Sequence, residues 1–320
     1  MSFSFVFPGQ GSQFIGMGKD IYGAFSTSRE VFEEVNDALK QNLSKLIFEG
    51  SEADLALTQN TQPALMTVSI AIYKTLTIDF GLSSKNLPNL LYAGHSLGEY
   101  TAYTAAGSFT LSQAATLLRI RGNAMQEAVP AGQGKMAAIL GLDFEAVEKL
   151  TLNYQKEHPS LICEAANDNA PGQVVISGHT QAIEDMIKIA TQNGAKRAIL
   201  LPVSAPFHCR LMDPAAKKMH EALSEINIKD AHPPIISNVT TEKTYSAANI
   251  LQTLVQQVTD KVRWRETIIK MKNLGVEHII EIGAGKVLTG LTRRIDKSLN
   301  TLSIQTPQDI ENFANFLERN

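Results

Sequence analysis

Leu90-Leu91-Tyr92-Ala93-Gly94-His95-Ser96-Leu97-Gly98-Glu99-Tyr100-Thr101-Ala102-Tyr103-Thr104-Ala105-Ala106 is the stretch on which the reading of this 320-residue chain turns. Its apolar front half reads as a strand and its back half as a helix. Between them, Gly94-His95-Ser96-Leu97-Gly98 has the Gly-x-Ser-x-Gly pattern of a nucleophile elbow, a sharp strand-to-helix turn with an exposed serine. Glycines sit two residues before and two after because the turn leaves no room for flanking side chains. The helix that follows would aim its free N–H groups and positive dipole end at a developing oxyanion. Such a turn implies an α/β protein that transfers acyl groups through Ser96. The same five letters also fit an ordinary turn capped by a serine.

Composition narrows the class. The chain is 44% hydrophobic and 19% charged with a net charge of -3, which suits a soluble globular protein and argues against nucleic acid as a partner. Cys163 and Cys209 are too few for a disulfide framework and lack metal-ligand spacing, so they read as reduced thiols of a cytoplasmic protein. Met1-Ser2-Phe3-Ser4-Phe5-Val6-Phe7 has no cationic flank and meets Pro8-Gly9 too soon for a signal peptide. No apolar run reaches membrane-spanning length. Gly283-Ala284-Gly285-Lys286 follows a strand, but a dinucleotide fingerprint needs its third glycine at position 288, which is Leu288, and P-loop spacing is missing. No cofactor, metal or membrane contact is expected, and a monomer is the expected state.

Working outward, Phe3, Phe5 and Phe7 alternate as a strand that ends in Pro8-Gly9-Gln10-Gly11-Ser12-Gln13, a loop able to present bare N–H groups. Helical periods cover 28–39, 63–76 and 112–125, the last carrying Arg119 and Arg121. After the Gly/Pro cluster 129–134 the pattern becomes strand 136–140, helix 144–154, strands 160–165 and 173–177, helix 180–193 and strand 197–203. That βαββαβ order is the split unit of a ferredoxin-like domain. A small domain over 129–202 is therefore expected to interrupt a larger α/β domain made of 1–128 and 203–320. Further on come helix 214–226, a strand around 235–238, a helix through Gln257, helix 264–274 and strand 276–282.

A serine at its ordinary pKa is a poor nucleophile and needs a base within hydrogen-bond reach. Of seven histidines, His95 adjoins Ser96 but the elbow turns its side chain elsewhere. His158, His179, His220, His232 and His278 lie in loops, in turns, on a charged helix or at a strand start. His208 leaves the end of an apolar strand in a short loop closed by Pro206, where α/β proteins place site residues. A hydrolase triad also wants an acid between serine and histidine. Every candidate from Asp143 to Asp185 falls in the inserted segment. Either something other than a carboxylate orients the histidine, or the triad reading fails.

These residues, taken with others, resemble the malonyl-CoA:acyl carrier protein transacylases of type II fatty acid synthesis. The matching segments are Phe7-Pro8-Gly9-Gln10-Gly11-Ser12-Gln13, Gln62-Pro63-Ala64, Gly94 to Tyr100, Arg121-Gly122 with Met125-Gln126, and Pro171-Gly172-Gln173-Val174-Val175. Pro202-Val203-Ser204-Ala205-Pro206-Phe207-His208 and Glu281 to Leu288 complete them. The resemblance implies a hydrolase-like α/β core with an inserted ferredoxin-like subdomain, and transfer of malonyl from malonyl-CoA to the phosphopantetheine thiol of an acidic acyl carrier protein. Carried over residue by residue, Ser96 is the nucleophile and His208 its base, and Arg121 pairs with the malonyl carboxylate. Gln62 belongs to the substrate site, Gln10 and Leu97 give the oxyanion-hole N–H groups, and the Gln257 backbone carbonyl orients His208. Phe207 and Leu97 match the malonyl rather than the methylmalonyl pattern, because a phenyl ring leaves no room for a branch at C2. Lys261, where relatives often have proline, is a departure expected to bear on the loop behind Gln257. Lys286, Arg293, Arg294 and Lys297, with Lys188, Lys196 and Arg197, are the expected docking cations for the carrier. A serine esterase would share Ser96 and His208 but pass the acyl group to water. A non-catalytic scaffold would need neither.

Overall fold

Phe3, Phe5 and Phe7 all point to one face of the first strand and Val6 to the other, so this strand must be covered on both sides. It is central in the computed structural model, which describes residues 2–83, 87, 89–203 and 205–318; Ser204 of the matching segment lies outside them. Ten strands are described: β1 (Phe3–Phe7), β2 (Leu91–Gly94), β3 (Gly134–Leu140), β4 (Cys163–Ala170), β5 (Gln173–His179), β6 (Arg197–Leu200), β7 (Ile235–Ile236), β8 (Lys243–Thr244), β9 (His278–Ile282) and β10 (Asn300–Ile304). The main sheet runs β10-β9-β1-β2-β7-β8, parallel except for β8 at its edge. The C-terminal ends of β1 and β2 therefore lie side by side, which brings the Gln10 loop next to the elbow.

The second sheet has the order β4-β5-β3-β6, antiparallel throughout. With helices Phe144–Glu157 and Thr180–Gln192 it makes the βαββαβ unit read from the sequence, and Ala137, Ile139, Val174 and Ile176 pack beneath those helices as a core of their own. Its opposite face turns Met136, Val175 and Ala166 to the main core. Val262 N donates to the Ala166 carbonyl and Asp168 N to the Val262 carbonyl, so β4 also bonds to the loop that carries Gln257. The α/β class, with a parallel sheet and an added antiparallel one, is as expected.

Several elements differ from the periodicity reading. The helix placed at 63–76 starts at Thr58 and runs to Lys74 with Pro63 inside it. Buried Thr61 and Gln62 interrupt its apolar pattern, which is why the sequence hides that start. The strand placed at 160–165 is Cys163–Ala170, because Asn167 and Asp168 in its polar half are buried at the joint, with Asn169 half-buried, rather than solvated in a turn. The strand placed at 235–238 stops at Ile236, and Ser237 and Asn238 are buried polar residues of the site. β10 and helix Pro307–Glu318 complete the far edge and carried no reading. Among the described residues no helix is long and apolar enough to cross a membrane.

Candidate active site

The elbow is built by close packing. A methyl group at Gly94 would overlap the Gly98 carbonyl, and one at Gly98 would overlap the Phe7 carbonyl, so helix Leu97–Ala105 can start directly against the end of β1 only with glycine at both positions. Ser96 at the tip has φ 53° and ψ -111°, a strained backbone for a residue with a side chain. Asn238 holds it there: its Oδ1 accepts from Ser96 N at 2.8 Å and its Nδ2 donates to the Gly94 carbonyl at 2.7 Å. The N–H groups of Gly98 and Glu99 are also bonded within the turn. That of Leu97, the first helical residue, is one the helix cannot use. Gln10 lines the same cleft.

His208 reaches the serine from 112 residues downstream, with Ser96 Oγ 2.8 Å from its Nε2. Its Nδ1 lies 2.8 Å from the Gln257 carbonyl. A carbonyl only accepts, so Nδ1 carries the proton and Nε2 is the free acceptor for the serine hydroxyl. His208 too has positive φ, 59°, in the loop after Pro206. Burial, reinforced by the Arg121 charge, pushes its imidazole down to about 3, so the resting base is neutral. Lys261 leaves this arrangement in place: it pairs with Glu148 at 2.7 Å and lies over the Phe144 ring.

Arg121, on helix Leu111–Glu127, is 1% exposed. Its Nη2 donates to Ser96 Oγ at 3.2 Å and to Gln257 Oε1 at 2.9 Å, and its Nη1 to Gln62 Oε1 at 3.0 Å. The guanidinium also stands 5.5 Å from the centre of the Tyr100 ring, a cation–π distance. Its hydrogen-bond acceptors are amides and a hydroxyl, with no carboxylate among them. Ser96, His208, Arg121, Gln62, Gln10, Leu97 and Phe207 all border one cleft of about 230 Å³, and Gln257 lies directly behind it.

Four features escaped sequence reading. Asn238 and the Gln257 side chain are polar groups that look ordinary until folding brings them to Ser96. Glu99, wholly buried, accepts from Gln257 Nε2 at 2.6 Å and Asn238 N at 3.2 Å; a charged residue opening so apolar a helix was the available signal. His95 does line the cleft, but its Nε2 bonds to Asn169 at 2.8 Å and its ring tilts against Trp264. At Gly283-Ala284-Gly285, Glu281 accepts the N–H groups of Leu288 and Thr289, so a carboxylate already caps the helix that follows. Among the described residues, no three His, Cys, Asp or Glu side chains cluster as a metal site.

A serine, a neutral imidazole and a buried guanidinium meet in one cleft, an arrangement chemically able to carry acyl transfer. Residues 4–310 match the model of the acyl transferase domain family. The chain belongs to that family. It is therefore an acyltransferase. Similar proteins include the malonyl CoA-acyl carrier protein transacylases of Bacillus subtilis (strain 168), 46% identical over 96% of this chain and 95% of the relative, and of Escherichia coli (strain K12), 41% identical over 95% and 96%. The acyl-carrier-protein-S-malonyltransferase of Bartonella henselae superposes with a TM-score of 0.95 at 50% identity, covering 99% of this chain and 100% of that one. A malonyl-transacylase solved in complex with its type II PKS acyl-carrier protein gives 0.93 at 40% identity with full coverage of both chains.

Proposed function

We propose that this acyltransferase moves the malonyl group from malonyl-CoA to the phosphopantetheine thiol of an acyl carrier protein, by way of a malonyl ester on Ser96. In loading, Ser96 Oγ gives its proton to His208 Nε2 and attacks the thioester carbonyl. The oxyanion is held by the N–H groups of Gln10 and Leu97. When the carbon–sulfur bond breaks, the coenzyme A sulfur leaves with the proton from His208. In unloading, the carrier thiol gives its proton to His208 and attacks the ester, and Ser96 recovers that proton as it leaves. The Gln257 carbonyl keeps His208 in the required tautomer throughout.

The observation that carries this reading is Arg121. A fully buried cation touching the nucleophile, with only neutral acceptors, is suited to a substrate that brings its own carboxylate. A general esterase has no use for such a group. Phe207 borders the cleft and supports selection against a branched acyl chain by volume. For the carrier, Arg294 Nη1 donates to Gln173 Oε1 at 2.7 Å, while Leu140 pairs with both Gln173 and Arg197, so the two basic clusters come together across the joint between the sheets. This supports docking of an acidic partner there. The same reading takes residues 129–202 as a subdomain inserted between 1–128 and 203–320, and the enzyme as a cytoplasmic monomer that supplies fatty acid synthesis. The test is mass spectrometry of the protein after incubation with malonyl-, methylmalonyl- and acetyl-CoA side by side. A malonyl adduct on Ser96 in excess over the other two is expected, and equal labelling by all three would overturn the proposal.

A further inference from the structure

Resting on the reading that Arg121 takes the malonyl carboxylate, we propose that Glu99 is the resident counter-charge of Arg121 and a specificity-determining residue, which takes up a proton when malonyl binds and so hands the guanidinium over to the substrate. Glu99 does not touch Arg121. One amide separates them: Gln257 Nε2 donates to Glu99 Oε2, and Gln257 Oε1 accepts from Arg121 Nη2. The carboxylate, the amide and the guanidinium form a single aligned chain inside the protein, all three residues being 0–1% exposed. Without substrate, one negative and one positive charge balance there. The malonyl carboxylate brings a second negative charge to the same cation, in a site too dry to screen it.

The geometry gives the proton a place. The hydrogen bonds to Glu99 from Gln257 Nε2 and Asn238 N both end on Oε2, and Oε1 takes part in neither. A proton on Oε1 therefore breaks neither of them, and the Ser237 hydroxyl, which also hydrogen-bonds the carboxylate, can rotate to accept it. The titratable groups around Glu99 are Arg121 from helix Leu111–Glu127, Tyr100 and Tyr103 from its own helix, and His208 beyond Gln257. Burial holds both tyrosines above their usual range and His208 below its own, so all three stay neutral, and Arg121 is the charge that Glu99 feels. Burial also pushes Glu99 itself up to about 7, which makes proton uptake accessible at ordinary pH. By linkage, whatever raises its affinity for a proton on malonyl binding makes malonyl binding stronger when it is protonated.

The test counts protons. Malonyl-CoA and acetyl-CoA are titrated calorimetrically into the Ser96→Ala protein, above pH 7, in two buffers of different ionisation enthalpy. The two ligands carry the same coenzyme A phosphates, so their difference isolates the acyl carboxylate. Malonyl-CoA should take up as much as about one proton more than acetyl-CoA, and its Kd should weaken about fivefold between pH 7 and pH 8. Glu99→Gln, neutral at every pH, should abolish both the extra proton and the pH dependence and should bind malonyl-CoA more tightly at pH 8. Difference infrared spectra, which need no Glu99 variant, should show a carboxylic acid carbonyl band appearing with malonyl-CoA and not with acetyl-CoA. Equal proton uptake for the two ligands, absence of that band, or an undiminished difference in Glu99→Gln overturns the proposal. Failure of malonyl-CoA to load wild-type Ser96 overturns the transfer reading instead, and this inference with it.

Discussion

Arg121 donates to the hydroxyl of Ser96, so the cation proposed to hold the substrate rests on the atom proposed to attack it. On that proposal, this contact ties acyl selection to nucleophile placement. A malonyl carboxylate that captures the guanidinium is held a fixed, short distance from Oγ, and an acyl group without one leaves Arg121 on the serine.

Arg121→Ala should therefore cost malonyl loading heavily and acetyl loading little. Losing one partner of a desolvated ion pair costs roughly 2–5 kcal/mol, a factor of about 30 or more in kcat/KM. Arg121→Lys should fare nearly as badly, because an ammonium cannot reproduce the planar fork that reaches Gln62, Gln257 and Ser96 together. Comparison of kcat/KM for malonyl-CoA and acetyl-CoA decides it, and a uniform loss for both donors would contradict the assignment.

Ser96→Ala should abolish the covalent adduct. His208→Ala should slow its formation by about 10²–10⁴, the usual contribution of a general base. Single-turnover loading followed by mass spectrometry measures both, and an adduct persisting in Ser96→Ala would place the ester elsewhere.

With the imidazole held down near 3, its basic form dominates across ordinary pH. Labelling of Ser96 by a neutral fluorophosphonate should thus stay level from about pH 8 to about pH 5, where an ordinary histidine would already have protonated near 6.5. The sign for stability is opposite. Unfolded His208 takes a proton below its ordinary value and the folded residue does not, so stability declines as pH falls below about 6.5. A labelling rate that halves near pH 6.5 would show an unperturbed imidazole.

Gly98→Ala should destabilise by more than about 3 kcal/mol or prevent folding, since the added methyl meets the Phe7 backbone carbonyl, which cannot move without distorting β1. Gly290→Ala, in helix Val287–Ile295 with open space around its Cα, is the control and should be neutral or mildly stabilising. Thermal unfolding of the two variants checks the contrast.

Reversing charge at Lys286 and Arg293 should raise the KM for the carrier protein several-fold and flatten its salt dependence while Ser96 loading from malonyl-CoA continues. If carrier KM and salt response both stay as in the wild type, the docking surface lies elsewhere.

The elbow was legible because its glycines, serine and flanking periods are contiguous, and tight local turns write their constraints into adjacent residues. The βαββαβ unit was legible for the same reason, each element carrying its own period. Strand β4 was misplaced where Asn167 and Asp168 are buried by contacts with Val262 and Arg265, nearly a hundred residues away. No local pattern records a polar residue whose partner lies so far along the chain.

Sequence by itself thus determined the α/β class, the turn that exposes Ser96, and, through the resemblance, the acyl chemistry to look for, because each depends on neighbours in the chain or on motifs kept in order. The resemblance also implied the Gln257 carbonyl, which the structure places 2.8 Å from His208 Nδ1, but only the tertiary structure decided that Asn238 pins the elbow and that Glu99 faces Arg121 through one shared amide. The hydrogen bonds that make those relationships join residues 49 to 158 positions apart, and they exist because both sheets must bury their faces together before the polar groups meet.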